Sequence, residues 1–277
     1  MLAEGADLGR MNLSVVASVV DELVDRDADL TRLMLVGAHC RNLWAQALGR
    51  QDVLAATHDL DLGIAVDTMT EWTTLTRDLP TVTSAQSGIA FNVAGLHVDL
   101  MPFGSAVERP TGSVEPPSRL GDPFSVLGFE DVFTAGVSLP LASGSGTLRM
   151  PTPEGLAVLK VAAFHDRHPL ITKDAQDLAL VLRWYVDSDL VRDYVYAFEH
   201  DLLEEAGWLP DVAAAALLGR TMRRLLSADS LPMLLNQWEV SRGAAREVMW
   251  RSRVILGDRG LVNALMAAVD RGLHDDR

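Results

Sequence analysis

Apolar residues recur at helical spacing over 13–29. Val15, Val16, Val19, Val20, Leu23 and Val24 make a stripe that Asn12 or Ser14 can cap. The run Leu33-Met34-Leu35-Val36 is short and continuously apolar and stops at Gly37, which predicts a buried strand ended by a turn. A helix is expected over 39–48, closed by Gly49. Residues 59–66 alternate acid and aliphatic and then become almost wholly apolar, as a partly buried strand does. A helix over 72–79 ends at Pro80, and strands over 89–93 and 96–101 flank Ala94-Gly95 as a hairpin. The stretch 104–122, rich in Pro, Gly and Ser, reads as a surface loop. Another strand pair is expected over 132–141 and 146–150 around Ser143-Gly144-Ser145-Gly146. After Pro153 the period changes to helical, over 154–165, 173–186, 190–203 and most of the remainder. The pattern predicts an α/β (α+β) domain with a mixed sheet over 1–150, followed by a mainly α-helical domain over 151–277.

Composition narrows the classes. A chain of 277 residues with 48% apolar content can bury a core without staples, and its length suits two domains. The single cysteine, Cys40, excludes an intramolecular disulfide framework, fits a reducing compartment and reads as a buried structural thiol. No run of about 18 apolar residues is present, and the first dozen residues lack a basic segment followed by an apolar one; the expectation is a cytoplasmic protein with no membrane partner. The net charge of −14 excludes general coating of nucleic acid. Of 24 basic residues only Lys160 and Lys173 are lysines. Trp184, Trp208, Trp238 and Trp250 are expected in the core.

The candidate chemistry lies in carboxylates. In a strand, residues i and i+2 share a face, so Asp59 and Asp61 project together while Leu60 and Leu62 turn inward. Two neighbouring carboxylates repel unless a cation lies between them, and magnesium is commonly bound by one or two carboxylates plus substrate phosphates. The same spacing at Asp25/Asp27, Asp27/Asp29 and Asp187/Asp189 falls in helix or loop contexts, as solvated faces do. Asp99 is an isolated acid in an apolar strand, where His97 and Asp99 alternate with Val98 and Leu100. The small residues Gly37-Ala38 make a strand-to-helix turn whose backbone N–H groups can approach a phosphate.

These pieces together resemble the nucleotidyltransferase superfamily, in its AbiEii/AbiGii-type toxin branch, whose members occur in type IV toxin–antitoxin and phage-defence pairs. Gly37-Ala38-His39-Cys40-Arg41-Asn42-Leu43 is similar to that branch's Gly-Ala-x-x-Arg-Asp-Leu opening. Thr57-His58-Asp59-Leu60-Asp61-Leu62 is similar to its Thr-x-Asp-x-Asp strand, and Val98-Asp99-Leu100-Met101-Pro102-Phe103-Gly104 to its third-acid strand. The segments from Pro153 to Lys160, Asp166-Arg167 and Lys173-Asp174-Ala175-Gln176-Asp177-Leu178 resemble its helical motifs. The resemblance covers about 33–186, with its blocks in the family's order. Ala38 stands where the superfamily often has Ser or Gly, and Asn42 where the branch often has Asp.

The resemblance implies transfer of a nucleotide from a nucleoside triphosphate to an acceptor hydroxyl, on tRNA or protein, by a toxin-type enzyme with a cognate antitoxin. Asp59, Asp61 and Asp99 would hold magnesium or manganese, with Asp99 as second ligand or general base. Lys160 would neutralise triphosphate charge and Asp177 would join the catalytic set. Gly37, Ala38, Arg41, Lys173 and Asp174 would contact nucleotide, and the helical domain would complete the cleft. From the residues alone, Lys173 and Asp174 also read as a solvated helix N-terminus. Two other readings stay open: an aminoglycoside-type small-molecule nucleotidyltransferase, and a non-catalytic nucleotide-binding or antitoxin-like module. Arg220, Arg223, Arg224, Arg242, Arg246, Arg251 and Arg253 read as a solvated face or as an edge for RNA phosphates.

Overall fold

The computed structural model describes residues 1–50, 59–82, 87–117, 121–141, 146–252, 254–255 and 257–276. Thr57 and His58, the turn residues Ser143, Gly144 and Ser145, and Arg253 lie outside them. The chain divides into two units, Ala6–Thr152 and a helical unit made of Met1–Gly5 with Pro153–Arg277.

In the first unit, Val16, Val19, Val20 and Leu23 bury one side of α1 (Ser14–Val24). The helix stops before the acidic turn 25–29, where Asp27 takes φ +66. All four residues of β1 (Leu33–Val36) are buried. α2 (Gly37–Ala47) buries Cys40, Leu43, Trp44 and Ala47 at i, i+3, i+4 and i+7, and the Trp44 indole N–H donates to the Pro151 carbonyl at 2.7 Å. β2 (Asp59–Ala65) and α3 (Met69–Thr76) follow, the latter capped by the Thr68 hydroxyl. β3 (Ala90–Val93) and β4 (Leu96–Phe103) form the expected hairpin. β4 tolerates Pro102 because that residue lies beyond the stretch that β3 covers. Within the long loop, β5 (Ser113–Val114) pairs antiparallel with β6 (Phe124–Ser125), which lies just beyond it.

The expected strand over 132–141 is instead α4 (Phe129–Ala135) followed by β7 (Val137–Pro140). Gly128 at φ +79 starts the helix, Glu130 and Asp131 complement its N-terminal dipole, and Phe129 and Val132 are buried. Packing of that pair overrides the strand preference of Val132-Phe133-Thr134. β8 (Thr147–Met150) completes a six-stranded sheet of order β3-β4-β2-β1-β8-β7. Pairs β2–β4 and β1–β8 are parallel and the others antiparallel, a mixed sheet.

The helical unit holds α5 (Pro153–Arg167), α6 (Lys173–Val186), α7 (Asp189–Phe198), α8 (His200–Glu205), α9 (Pro210–Leu225), α10 (Ser230–Ser252) and α11 (Arg259–His274). The helix expected over 190–203 breaks at Glu199, which is buried and bound to Arg220. α9 and α11 touch backbone to backbone. A Cβ on Gly219 would stand 2.8 Å from the Leu273 nitrogen, and one on Gly272 2.7 Å from the Arg220 nitrogen. Trp184 and Trp238 lie in the core, but Trp250 is only half-buried and Trp208 is 60% exposed, against the expectation. The protein is thus α+β with a helical C-terminal region, and among the described residues no helix is long and apolar enough to cross a membrane.

Candidate functional site

Strand register places the acids. Asp61 of β2 lies opposite Val36 of β1 on one side and Asp99 of β4 on the other. Asp59 lies opposite His97 in the same parallel ladder. Period-2 alternation buries Leu60, Leu62, Val98 and Leu100, and leaves Asp59, Asp61, His97 and Asp99 on the other face. Asp61 and Asp99, 38 positions apart in sequence, therefore become lateral neighbours.

The β1–α2 turn closes on this pair. Gly37 takes φ +67, and a Cβ there would overlap the Asp61 carboxylate, standing 2.6 Å from its Cγ. Only glycine allows both that backbone and that approach. The first residue of α2 thus abuts an acid, and the helix N-terminus favours negative charge there.

Two histidines to which the sequence motifs assign no role complete the surroundings. His97 stands between the acids, with Nδ1 3.2 Å from Asp59 Oδ1 and Nε2 3.3 Å from Asp99 Oδ1. His39 Nδ1 is 3.1 Å from the Asp59 carbonyl. A carbonyl only accepts, so the proton sits on Nδ1 and leaves Nε2 as a lone-pair nitrogen. The signal for His97 was its i−2 relation to Asp99; nothing in the sequence marked His39. Burial, then repulsion from Asp61, push the Asp99 carboxyl above its ordinary range, with His97 pulling the other way. Burial likewise holds His39 below the ordinary imidazole value.

Whether a hard divalent cation suits this pocket follows from the donors. Carboxylate oxygens are the right chemistry, and the Asp99 Oδ1 is buried without a well-aligned hydrogen bond. Crowding by Asp61 is the kind of repulsion a cation relieves. Among the described residues no group of three or more His, Cys, Asp or Glu is set to hold a metal ion. The donors that register sets side by side are Asp61 and Asp99, with Asp59 two positions away on the same face of β2 and His97 as close to Asp59 as to Asp99.

Of the other residues singled out in the sequence, Arg41 belongs to α2 and Lys160, Lys173, Asp174 and Asp177 belong to the helical unit. Arg41 is buried, and its Nε and Nη2 donate to the Asn42 side-chain oxygen at 3.0 and 2.7 Å. Asn42 thus serves as acceptor for the arginine beside it. In the helical unit, Lys160 is buried between Asp174 (3.0 Å) and Asp177 (2.6 Å), and Arg167 reaches Asp174 at 2.8 Å. Asp174 is fully buried, so it is not half of a solvated pair; Lys173 beside it is exposed. Burial alone would lower the Lys160 ammonium, but Asp177 and then Asp174 more than offset it and its pKa is raised. Two cations and two carboxylates form a neutral, largely buried quartet.

Part of the arginine edge is committed, while Arg224, Arg246 and Arg251 are exposed. Arg220 is 3% exposed and binds Glu199, Asp201 and Asp275. Arg242 pairs with Glu239 and Asp270, Arg251 with Glu247, and Arg223 donates to the Leu273 carbonyl. Arg220 is therefore a structural staple and no part of a solvated face. The sequence matches no protein-family model, no curated protein and no solved structure.

Proposed function

We propose that the protein is a metal-dependent nucleotidyltransferase that moves a nucleotide from a nucleoside triphosphate to an acceptor hydroxyl. One observation carries this: the register of β2 and β4 makes Asp61 and Asp99 neighbours beside the glycine turn at the start of α2. Asp61 and Asp99 would hold magnesium or manganese, which when bound supplies positive charge to the triphosphate and its leaving group. The backbone N–H groups of Gly37 and Ala38 bind phosphate oxygen at the helix N-terminus. His97 orients Asp59 and Asp99. An acceptor on tRNA or protein, and an antitoxin partner, belong to the same proposal by resemblance alone.

The test is incorporation of label from α-labelled triphosphates, one nucleotide at a time, into total tRNA and into protein. Asp61→Asn and Asp99→Asn should each abolish incorporation while the thermal transition persists. Full activity in either variant refutes the assignment. Triphosphate should also bind more tightly with magnesium than with a chelator.

A second reading, a small-molecule acceptor, draws on one observation. Arg220, Arg223 and Arg242 already serve carboxylates or a carbonyl within the helical unit, which narrows the basic surface that this set offers RNA to the exposed Arg224, Arg246 and Arg251 among its described members. Labelling of an aminoglycoside, with none of tRNA or protein, decides for it.

A further inference from the structure

The segment from Asp189 to Asp211 has no role in the site above, and it carries seven carboxylates against one arginine. It forms α7, α8 and the start of α9, which pack on one another. On α7 the apolar arc runs past the buried Val191 and Val195 to Leu190, Tyr194 and Phe198 at i, i+4 and i+8. The outer edge of that arc is uncovered: Leu190 is 44% and Phe198 72% exposed, and the Tyr194 and Phe198 rings lie against each other with centroids 5.0 Å apart. Trp208 (60% exposed) and Leu209 (58%) stand out between α8 and α9.

Trp208 has a further peculiarity. It follows Gly207 (φ +62) and itself takes φ +64. Its N–H closes α8 on the Leu203 carbonyl at 2.7 Å. A left-handed conformation costs a bulky residue on the order of 1–3 kcal/mol. Here the strained residue carries its indole ring mostly into solvent. Exposed large apolar side chains on and between three helices that pack on one another are the pattern of a recognition surface.

We infer that this surface docks a lysine- or arginine-rich amphipathic helix of another polypeptide. The occupant follows from charge. Glu199 and Asp201 are spent on Arg220, and Asp189 on Arg192 at 2.9 Å. Asp193 of α7, one turn from Leu190, and Glu204 of α8 are exposed acids. A partner must bring apolar side chains to the arc and cations to the rim, at the i, i+3/i+4 spacing with which one helix lies along another. A second copy would bring the same acids against themselves, and an anionic bilayer would be repelled.

The probe is a fluorescein-labelled leucine–lysine peptide of about four helical turns, with its leucines on one face, read by anisotropy against the full chain. The control is its scramble of equal charge with no apolar face. The amphipathic peptide should bind at least about tenfold more tightly than the scramble, a difference of about 1.4 kcal/mol. The double substitution Phe198→Ser with Leu209→Ser should remove that advantage at unchanged melting temperature. Neutralising Asp193 to Asn and Glu204 to Gln should flatten the salt dependence. Equal binding of peptide and scramble, or undiminished binding by the serine variant, overturns the proposal. So does sedimentation as a dimer that the serine variant makes monomeric, because the surface then belongs to a second copy. Co-sedimentation with phosphatidylglycerol vesicles, lost in the same variant, overturns it in favour of a lipid surface.

Discussion

At the scale of single residues the site is most exposed to change at Gly37. Alanine there must adopt a left-handed backbone, at a cost of about 1–2 kcal/mol, and must also displace the Asp61 carboxylate. Gly37→Ala should therefore fold with a lowered melting temperature and lose nucleotide transfer almost entirely, with both read on the same preparation. Retained transfer would mean that Asp61 is not the acid that matters. The acids themselves were legible from the sequence, because alternation fixes which side chains share a face. Arg220 was not legible. Its three carboxylate partners are Glu199, Asp201 and Asp275, and no local pattern announces a pairing that reaches across 55 positions. Trp208 misled for a related reason: composition places tryptophan inside, but the turn that carries it does not.

At the scale of elements, α5 and α6 are joined by the Lys160–Asp174–Asp177–Arg167 quartet. Removing one member of a buried ion cluster leaves an uncompensated charge, at a cost of about 3–5 kcal/mol. Lys160→Met should lower stability by that order, and the triple variant with Asp174→Asn and Asp177→Asn should recover most of it. Loss of activity in Lys160→Met alone is thus no measure of triphosphate binding. The pH dependence has a definite sign. The folded Lys160 value lies above the unfolded one, so its stabilisation is complete below the ordinary lysine value of about 10.4 and is lost as pH rises through the folded value. The melting temperature of the parent should fall above about pH 10.4, while the triple variant lacks that part of the fall. Long, strongly periodic elements such as α5 and α6 could be read from the sequence. α4 could not, since Val132-Phe133-Thr134 favours a strand and only burial of Phe129 and Val132 decides otherwise.

For the whole molecule the governing quantity is charge. At −14, the protein repels polyanions except where cations are exposed; of the arginines that looked available, Arg220, Arg223 and Arg242 are tied to the chain's own acceptors, while Arg224, Arg246 and Arg251 are exposed. If tRNA is the acceptor, only about two to four phosphate contacts are expected, and the slope of log affinity against log salt should be no steeper than about −4. A steeper slope would place a basic surface elsewhere in the chain. The α+β class and the helical C-terminal region were legible from the change of period near Pro153. The pairing order β3-β4-β2-β1-β8-β7 was not, because alternation tells which face a strand presents but not which strand lies beside it.

The parallel pairing of β2 with β4 has a consequence for length variation. Asp61 meets Asp99 because of strand register, not because of how many residues separate them. Residues gained or lost between α3 and β3 lie outside both strands and leave the two acids adjacent. One residue inserted between Leu60 and Asp61, or between Val98 and Asp99, sends an acid to the core face and an aliphatic side chain to the site. Insertion scanning across 59–103 should therefore give sharp loss at the two strands and tolerance in the connection. In a lineage of such proteins, the connector would be where lengths diverge while the acids stay aligned.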